Sequence, residues 1–234
     1  ISVTATSGTH TTQQIFEANA TLGIIEREGI TVTNMASTMI LLLCTNNALR
    51  TFDLTSLRLL SCGGSSLPPA TVKRVIASFG CEFFVSYGMT ECCGKISMSI
   101  LEPALRTSHE LADQLALVST SGRSFRLQEI RIVGHDGIII KPGSGLIGEV
   151  QCRGPTVFQG YSYTDNNEMQ TDCFSSDGWF ATGDLATIDA NAYITVVDRK
   201  TDMILVGGEN VYTAEVEAAL CSHPAVMVFP KLRK

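Results

Sequence analysis

Tyr87-Gly88-Met89-Thr90-Glu91 sets an aromatic ring, a hydroxyl and a carboxylate side by side. A tyrosine ring can stack on a purine base, a threonine hydroxyl can hydrogen-bond a phosphate oxygen, and a glutamate supplies the hard oxygen ligand that Mg2+ prefers. The same residues also make an ordinary turn, with Thr90 as a cap and Glu91 in solvent. Asp184 stands in Thr182-Gly183-Asp184-Leu185 among small neighbours. A carboxylate accepts two hydrogen bonds at once, which suits the paired hydroxyls of a ribose and suits a turn cap equally. Arg199 lies in the run Asp198-Arg199-Lys200-Thr201-Asp202. Its planar fork of donors fits a ribose or a phosphate, or an ion pair with Asp198 or Asp202. Gly207-Gly208-Glu209-Asn210 would let a ligand approach the backbone closely, or would simply turn a strand into a helix.

Composition sets the frame for these residues. The chain has 234 residues, 44% hydrophobic and 17% charged, which is enough apolar material to bury a core. The formal net charge of −6 argues against a nucleic-acid footprint. The basic cluster Lys231 to Lys234 reads as a solvated tail. Eight cysteines occur without a CxxC pair, so buried, reduced thiols are expected rather than a disulfide frame or a zinc site. Adjacent Cys92-Cys93 have no histidine nearby in sequence to make them a nucleophile or metal pair. His10, His109, His135 and His223 show no ligand spacing. The apolar run Met39 to Cys44 is too short to span a bilayer, and ISVTATSGTH has no signal-peptide pattern. An intracellular, cytoplasmic location is therefore expected.

Helix and strand alternate over the first half. Residues 13 to 28 read as a helix stopped by Gly29, Ile30 to Val32 as a strand, and Met39 to Leu49 as a helix capped by Ser37. Leu57 to Leu60 reads as a strand leading to the Gly63-Gly64-Ser65 corner, and Pro68-Pro69 starts a helix that ends at Gly80. Glu82 to Ser86 is a further strand, with Tyr87 to Glu91 as the turn after it. Such alternation predicts an α/β layer on a mostly parallel sheet, with ligands beyond the carboxyl ends of the strands. Residues 101 to 118 form a helix or a loop. From about Ser119, short apolar runs recur between glycine turns: Glu129 to Val133, Ile138 to Ile140, Gly148 to Cys152, Trp179-Phe180, Leu185 to Ile188 and Tyr193 to Val197. That pattern predicts an antiparallel β unit resembling a distorted barrel. A short strand, a glycine loop and a helix from Thr213 to Cys221 open a small α+β unit. The expected division is 1–118, 119–198 and 199–234.

Taken together, Gly-Gly-Ser-Ser-Leu-Pro (63 to 68), Tyr-Gly-Met-Thr-Glu (87 to 91), Gly-Glu-Val-Gln-Cys-Arg-Gly-Pro (148 to 155) with Gly160-Tyr161, Gly-Trp-Phe-Ala-Thr-Gly-Asp-Leu (178 to 185) and Val-Asp-Arg-Lys-Thr-Asp-Met-Ile (197 to 204) resemble the adenylate-forming superfamily. Gly-Gly-Glu-Asn-Val-Tyr followed by Ala-Glu-Val-Glu is most similar to its acyl-CoA synthetase branch. The resemblance implies a ligase using ATP, Mg2+ and CoA. A carboxylic acid, expected to be fatty, attacks the α-phosphate of ATP to give an acyl-adenylate and pyrophosphate, and the thiol of CoA then takes the acyl group. It further implies that Gly63, Gly64 and Ser65 border adenine and the acyl group. Tyr87 would stack on adenine beside Gly88, Thr90 would touch phosphate and Glu91 would bind Mg2+. Asp184 would hold the ribose and Arg199 would reach it. Thr201 would be the hinge, and Gly207, Gly208, Glu209 and Asn210 would line the CoA path. The acid pocket would draw on Gly63-Gly64, Gly88 and Cys92 to Ser97.

The resemblance also implies parts that this stretch does not carry. The family's Ser/Thr/Gly-rich phosphate loop should precede the first motif. Thr6-Ser7-Gly8-Thr9 echoes its start without the following glycine and lysine, and reads as part of a strand. The family's C-terminal lysine would lie beyond Lys234. Thr201 stands where Lys or Asp is usual, Ala192 where a turn glycine is usual, and Thr213 where proline is usual. Ala192 would be strained if that turn needs a positive φ. A partial acyl-CoA synthetase is the leading reading. A catalytically silent nucleotide-binding or interaction module and an amino-acid adenylation domain are the alternatives.

Overall fold

The computed structural model describes residues 5–63, 67–108, 110–162, 169–206 and 209–221. The first sheet has strand order β1-β2-β3-β4-β5, from β1 (Val32–Ala36), β2 (Leu59–Gly63), β3 (Glu82–Met89), β4 (Gly94–Met98) and β5 (Arg123–Ser124). β1, β2 and β3 run parallel, whereas β4 and β5 are antiparallel additions. Helices α1 (Ala18–Glu28), α2 (Ser37–Cys44), α3 (Pro69–Phe79), α4 (Pro103–Ser108) and α5 (Leu111–Val118) fill the connections.

Local chemistry explains these boundaries. The Glu17 carboxylate accepts from the N–H groups of Asn19 and Ala20, which starts α1 later than periodicity alone suggests, and Gly29 closes it in the left-handed region. Pro69 opens α3 at a position where its missing N–H costs nothing, and Gly80 ends it at φ 63°. α2 ends at Cys44, short of the expected Leu49, with Thr45 as its C-cap and Leu49 opening a separate 3-10 turn, Leu49–Thr51. Thr6-Ser7-Gly8-Thr9 lies in no strand, and Ser7 has φ 59°.

Strand register divides the first sheet into unlike faces. Thr33, Leu60 and Phe83 align on one face, followed by Met35, Cys62 and Val85. This face is covered by Leu22, Ile25, Val72, Val75 and Leu117 of the helices in one apolar core. The opposite face carries Asn34, Ser61 and Phe84 in register, followed by Ala36, Gly63 and Ser86. Ser61 donates to Asn34 at 2.8 Å, giving this face a polar floor.

The second sheet has order β11-β10-β7-β6, from β6 (Glu129–Val133), β7 (Gly148–Arg153), β10 (Phe180–Ile188) and β11 (Ile194–Arg199), and every pairing is antiparallel. Its core is Ile132, Val150, Cys152, Phe180, Ala186 and Ile194. The expected barrel is not formed: among the described residues the sheet is open. The outer edge of β11 is taken by the first unit, because Ile194 exchanges backbone hydrogen bonds with Ser121 and Gly122 rather than with β6. Trp179-Phe180 and Leu185 to Ile188 prove to belong together, with Phe180 and Leu185 in one strand, β10, that continues through Gly183. Ile138 to Ile140 forms only a bridge to Val133. A short ribbon pairs β8 (Tyr161–Ser162) with β9 (Met169–Gln170). Beyond β11, β12 (Ile204–Val206) pairs with β13 (Glu209–Val211), and α6 (Thr213–Cys221) follows.

Ala192 does adopt a positive φ, 63°. The Asp189 carboxylate holds the turn from below by accepting from the N–H groups of Asn191 and Tyr193. A left-handed residue with a Cβ costs about 1 kcal/mol. Ala192→Gly is therefore expected to raise stability by somewhat less than that, about 0.5 kcal/mol after the added chain entropy, read as a shifted urea midpoint with an unchanged m-value.

Cys44, Cys62, Cys81, Cys92, Cys93, Cys152 and Cys173 are free thiols. Burial pushes Cys62 and Cys81 up to about 11, so both stay protonated near neutrality. Cys93 departs from the expected pattern, since it is exposed on a left-handed turn.

Candidate functional site

Tyr87 does not stand in a turn, as its sequence position suggests, but inside β3. It continues the alternation of Phe83 and Val85, then passes beyond the helices and packs against Ile96 and the second core. On the other sheet, Asp184 sits where the β10–β7 register slips between Ala181 and Leu185. Gly183 at φ 75° forms the inner corner of this bulge. A bulge re-aims a side chain, and here it points the Asp184 carboxylate at Tyr87.

The Tyr87 hydroxyl donates to Asp184 Oδ2 at 2.7 Å, in a buried setting. Asp184 Oδ1 faces Arg199 Nε at 3.2 Å, because Arg199 is its direct cross-strand partner on β11. Burial, with the Asp184 charge as the next cause, pushes the Tyr87 phenol up, so it remains a donor across the accessible pH range. The Asp184 side chain is 6% exposed and the Arg199 side chain 61%. The carboxylate is therefore fixed from inside by the phenol and capped from outside by a guanidinium in solvent.

Thr90 and Glu91 follow β3 in a 3-10 turn, and Thr90 is exposed. Glu91 Oε1 accepts from the Tyr161 hydroxyl at 2.8 Å, and the Glu91 carbonyl accepts from the Phe158 N–H at 2.7 Å. Phe158 meets the Tyr161 ring edge-on at 4.8 Å. Tyr161 was not among the expected site residues, although Gly160-Tyr161 stood among the motifs. Its signal was an aromatic hydroxyl after a glycine, and Gly160 takes φ 147° at that position. Gly63 lies at the end of β2, where an added Cβ would meet Ser86 and Asn34 at ordinary contact distances. Gly88 is closed off on its Cβ side: an added Cβ would lie 1.7 Å from the Gly94 carbonyl oxygen.

Asp198, just before the expected hinge Thr201, is buried. It accepts from the Thr213 N–H at 2.6 Å, from the Thr213 hydroxyl at 2.9 Å and from the Arg199 N–H at 2.8 Å. Thr201 is exposed and donates to Asp202 at 3.3 Å. Gly64, Ser65, Gly207 and Gly208 lie outside the described residues, while Glu209 and Asn210 open β13.

The first-sheet end, the bulge of β10 and the end of β11 thus bring Tyr87, Asp184 and Arg199 together from three separate motifs. The profile of the AMP-binding enzyme family matches residues 2–162. The chain belongs to the AMP-binding enzyme family. Within that family it is 34% identical over 219 residues to a feruloyl-CoA synthase from Amycolatopsis sp, covering 94% of this chain and 41% of the relative. It is 34% identical over 212 residues to an indoleacetate–CoA ligase from Aromatoleum aromaticum, covering 90% of this chain and 38% of the relative. O-succinylbenzoate CoA synthetase (MenE) from Bacillus subtilis, solved in complex with the acyl-adenylate intermediate OSB-AMP, superposes with a TM-score of 0.76 at 31% identity, over 97% of this chain and 43% of that one. The chain accordingly spans about two fifths of the length of the relatives that it matches. The same B. subtilis enzyme has been solved with ATP and magnesium ion, at a TM-score of 0.72 and 32% identity over 92% of this chain and 41% of that one.

For Mg2+ the donor set here is sparse. Among the described residues no group of three or more His, Cys, Asp or Glu converges. Glu91 offers a carboxylate with Oε1 engaged by Tyr161. A lone carboxylate fits Mg2+, which keeps several waters and takes the rest of its ligands from substrate phosphates. No helix among the described residues is long and apolar enough to cross a membrane.

Proposed function

We propose that this chain supplies the nucleotide-facing part of an AMP-forming acid–CoA ligase. The observation that carries this reading is the Tyr87–Asp184–Arg199 arrangement, a buried carboxylate under an exposed cation. In this reading Asp184 accepts from the ribose hydroxyls once Arg199 turns outward to the nucleotide. Tyr87 contributes the wall against adenine, with Gly63, Gly64, Ser65 and Gly88 around it. Thr90 donates to phosphate, and Glu91, oriented by Tyr161, holds Mg2+. When bound, Mg2+ supplies neutralisation of phosphate charge. The contribution of the protein to acyl-adenylate formation is positioning, which brings the acid carboxylate onto the α-phosphate in line with the departing pyrophosphate. Thr201 would be the pivot that brings Gly207 to Asn210 toward the CoA thiol for the second step. The three-part division at 118/119 and 198/199 belongs to the same reading.

We further infer that the acid is aryl rather than fatty. The family relatives above carry feruloyl, indoleacetate and succinylbenzoate in their names, which favours a ring-bearing acid.

The test is calorimetric titration of the chain with a non-hydrolysable acyl-adenylate analogue. Micromolar binding is expected, weakened at least about tenfold by Asp184→Ala, the scale of one charge-assisted hydrogen-bond pair. Absence of binding by the wild-type chain would point instead to a silent interaction module.

A further inference from the structure

We propose that Lys95 selects the acid, and that the preferred substrate is a carboxylic acid bearing a second anionic group near its tail. The inference rests on the adenylate-forming reading of the site above.

Three observations place Lys95. Its register partner is Gly88 of β3, so its side chain shares a sheet face with Phe84, Ser86 and Gly88. That face is the one carrying Asn34, Ser61 and Gly63, with the Gly63 corner at its strand end. The Lys95 ammonium lies over the Phe84 ring, 5.0 Å from its centroid. The salt bridges among the described residues do not include Lys95.

A cation on an aromatic face rather than beside a carboxylate keeps its charge unneutralised, and Lys95 is exposed, so a ligand can reach it. Partial burial holds the Lys95 ammonium below the ordinary lysine value. It is an unneutralised positive charge within Cys92 to Ser97, the stretch expected to contribute to the acid pocket. An uncharged aliphatic tail laid across this face would cover the ammonium and leave it without a partner, which costs free energy. A second carboxylate or a comparable anion would pair with it. The Phe84 ring beneath would favour a flat substrate body alongside the pair. Discrimination then arises from a charge left unpaired under an apolar tail as well as from attraction.

Titration of the chain with paired non-hydrolysable acyl-adenylate analogues, benzoyl and 2-carboxybenzoyl, tests the inference, with AMP as the reference. The wild-type chain is expected to bind the carboxybenzoyl analogue about tenfold more tightly than the benzoyl one, a ratio of one pH-like unit in binding. Lys95→Met is expected to remove that preference, Lys95→Arg to keep it, and AMP binding to be the same in all three. Equal binding of both analogues by the wild type overturns the inference and leaves the nucleotide reading standing. A Lys95→Met loss that is as large for AMP overturns it too, because the lysine would then serve a phosphate. Failure of every nucleotide ligand to bind overturns the nucleotide reading and this inference with it.

Discussion

Gly88→Ala is expected to destabilise the chain by about 3 kcal/mol, at the upper end of overpacking costs. The reason is geometric. β3 and β4 are joined through a tight 3-10 turn, and their register slips between Tyr87 and Gly88. This slip drives the β4 backbone onto Gly88, so an added Cβ would stand 1.7 Å from the Gly94 carbonyl oxygen and 2.8 Å from the Lys95 Cα. The obstacle is backbone, so no rotamer change relieves it. The strands must part, which would shift Tyr87 on one side and Thr90-Glu91 on the other. Urea unfolding followed by tryptophan fluorescence measures the loss. A change below about 1 kcal/mol would mean that the hairpin yields more readily than its packing implies. The resemblance placed Gly88 beside the nucleotide and in the acid pocket. In the folded chain its missing side chain first of all admits the neighbouring strand.

Asp198→Ala is expected to cost about 3 kcal/mol, confined to the segment after β11. The carboxylate is buried and accepts the Thr213 N–H and hydroxyl together with the Arg199 N–H. Truncation strands the Thr213 N–H and hydroxyl away from water, at roughly 1–3 kcal/mol per unsatisfied group. It also removes the bond across which β11 holds the start of α6. Amide hydrogen exchange should therefore quicken in α6 while β6 and β7 keep their protection. Thr213→Pro should produce part of the same loss by deleting the N–H that Asp198 accepts. Thr213 is thus held through both its N–H and its hydroxyl by one specific acceptor, Asp198.

Some of this was legible in the residues themselves. Gly29 and Gly80 stop helices, and Gly137 and Gly178 make turns, because positive φ is a local property that composition announces. The alternation of helix and strand up to residue 118 identified an α/β layer because burial on one sheet face imposes periodicity on each element. The resemblance pointed to Ala192 as a residue in place of a turn glycine, strained if the turn needs a positive φ, and Ala192 takes one. The motifs placed Tyr87, Glu91, Asp184 and Arg199 as candidates, each with a bland alternative that no local feature could dismiss.

Tertiary structure decided the rest, because it depends on which distant groups meet. The Tyr87–Asp184 bond joins residues 97 positions apart and requires two different sheets to abut. The bulge at Thr182 to Asp184 has no signature in a hydrophobic pattern, for it is a property of the pairing with β7. The barrel expectation failed for the same reason: strand spacing cannot tell which partner the edge of β11 will take, and at Ile194 that partner is the Ser121-Gly122 backbone, not β6. Tyr161 against Glu91 and Thr213 against Asp198 likewise became partners only when separate elements were brought together. The sequence by itself determined the chemical types available and the turns that punctuate them. The pairing of buried polar groups, which must find partners once water is removed, was decided by the folded chain alone.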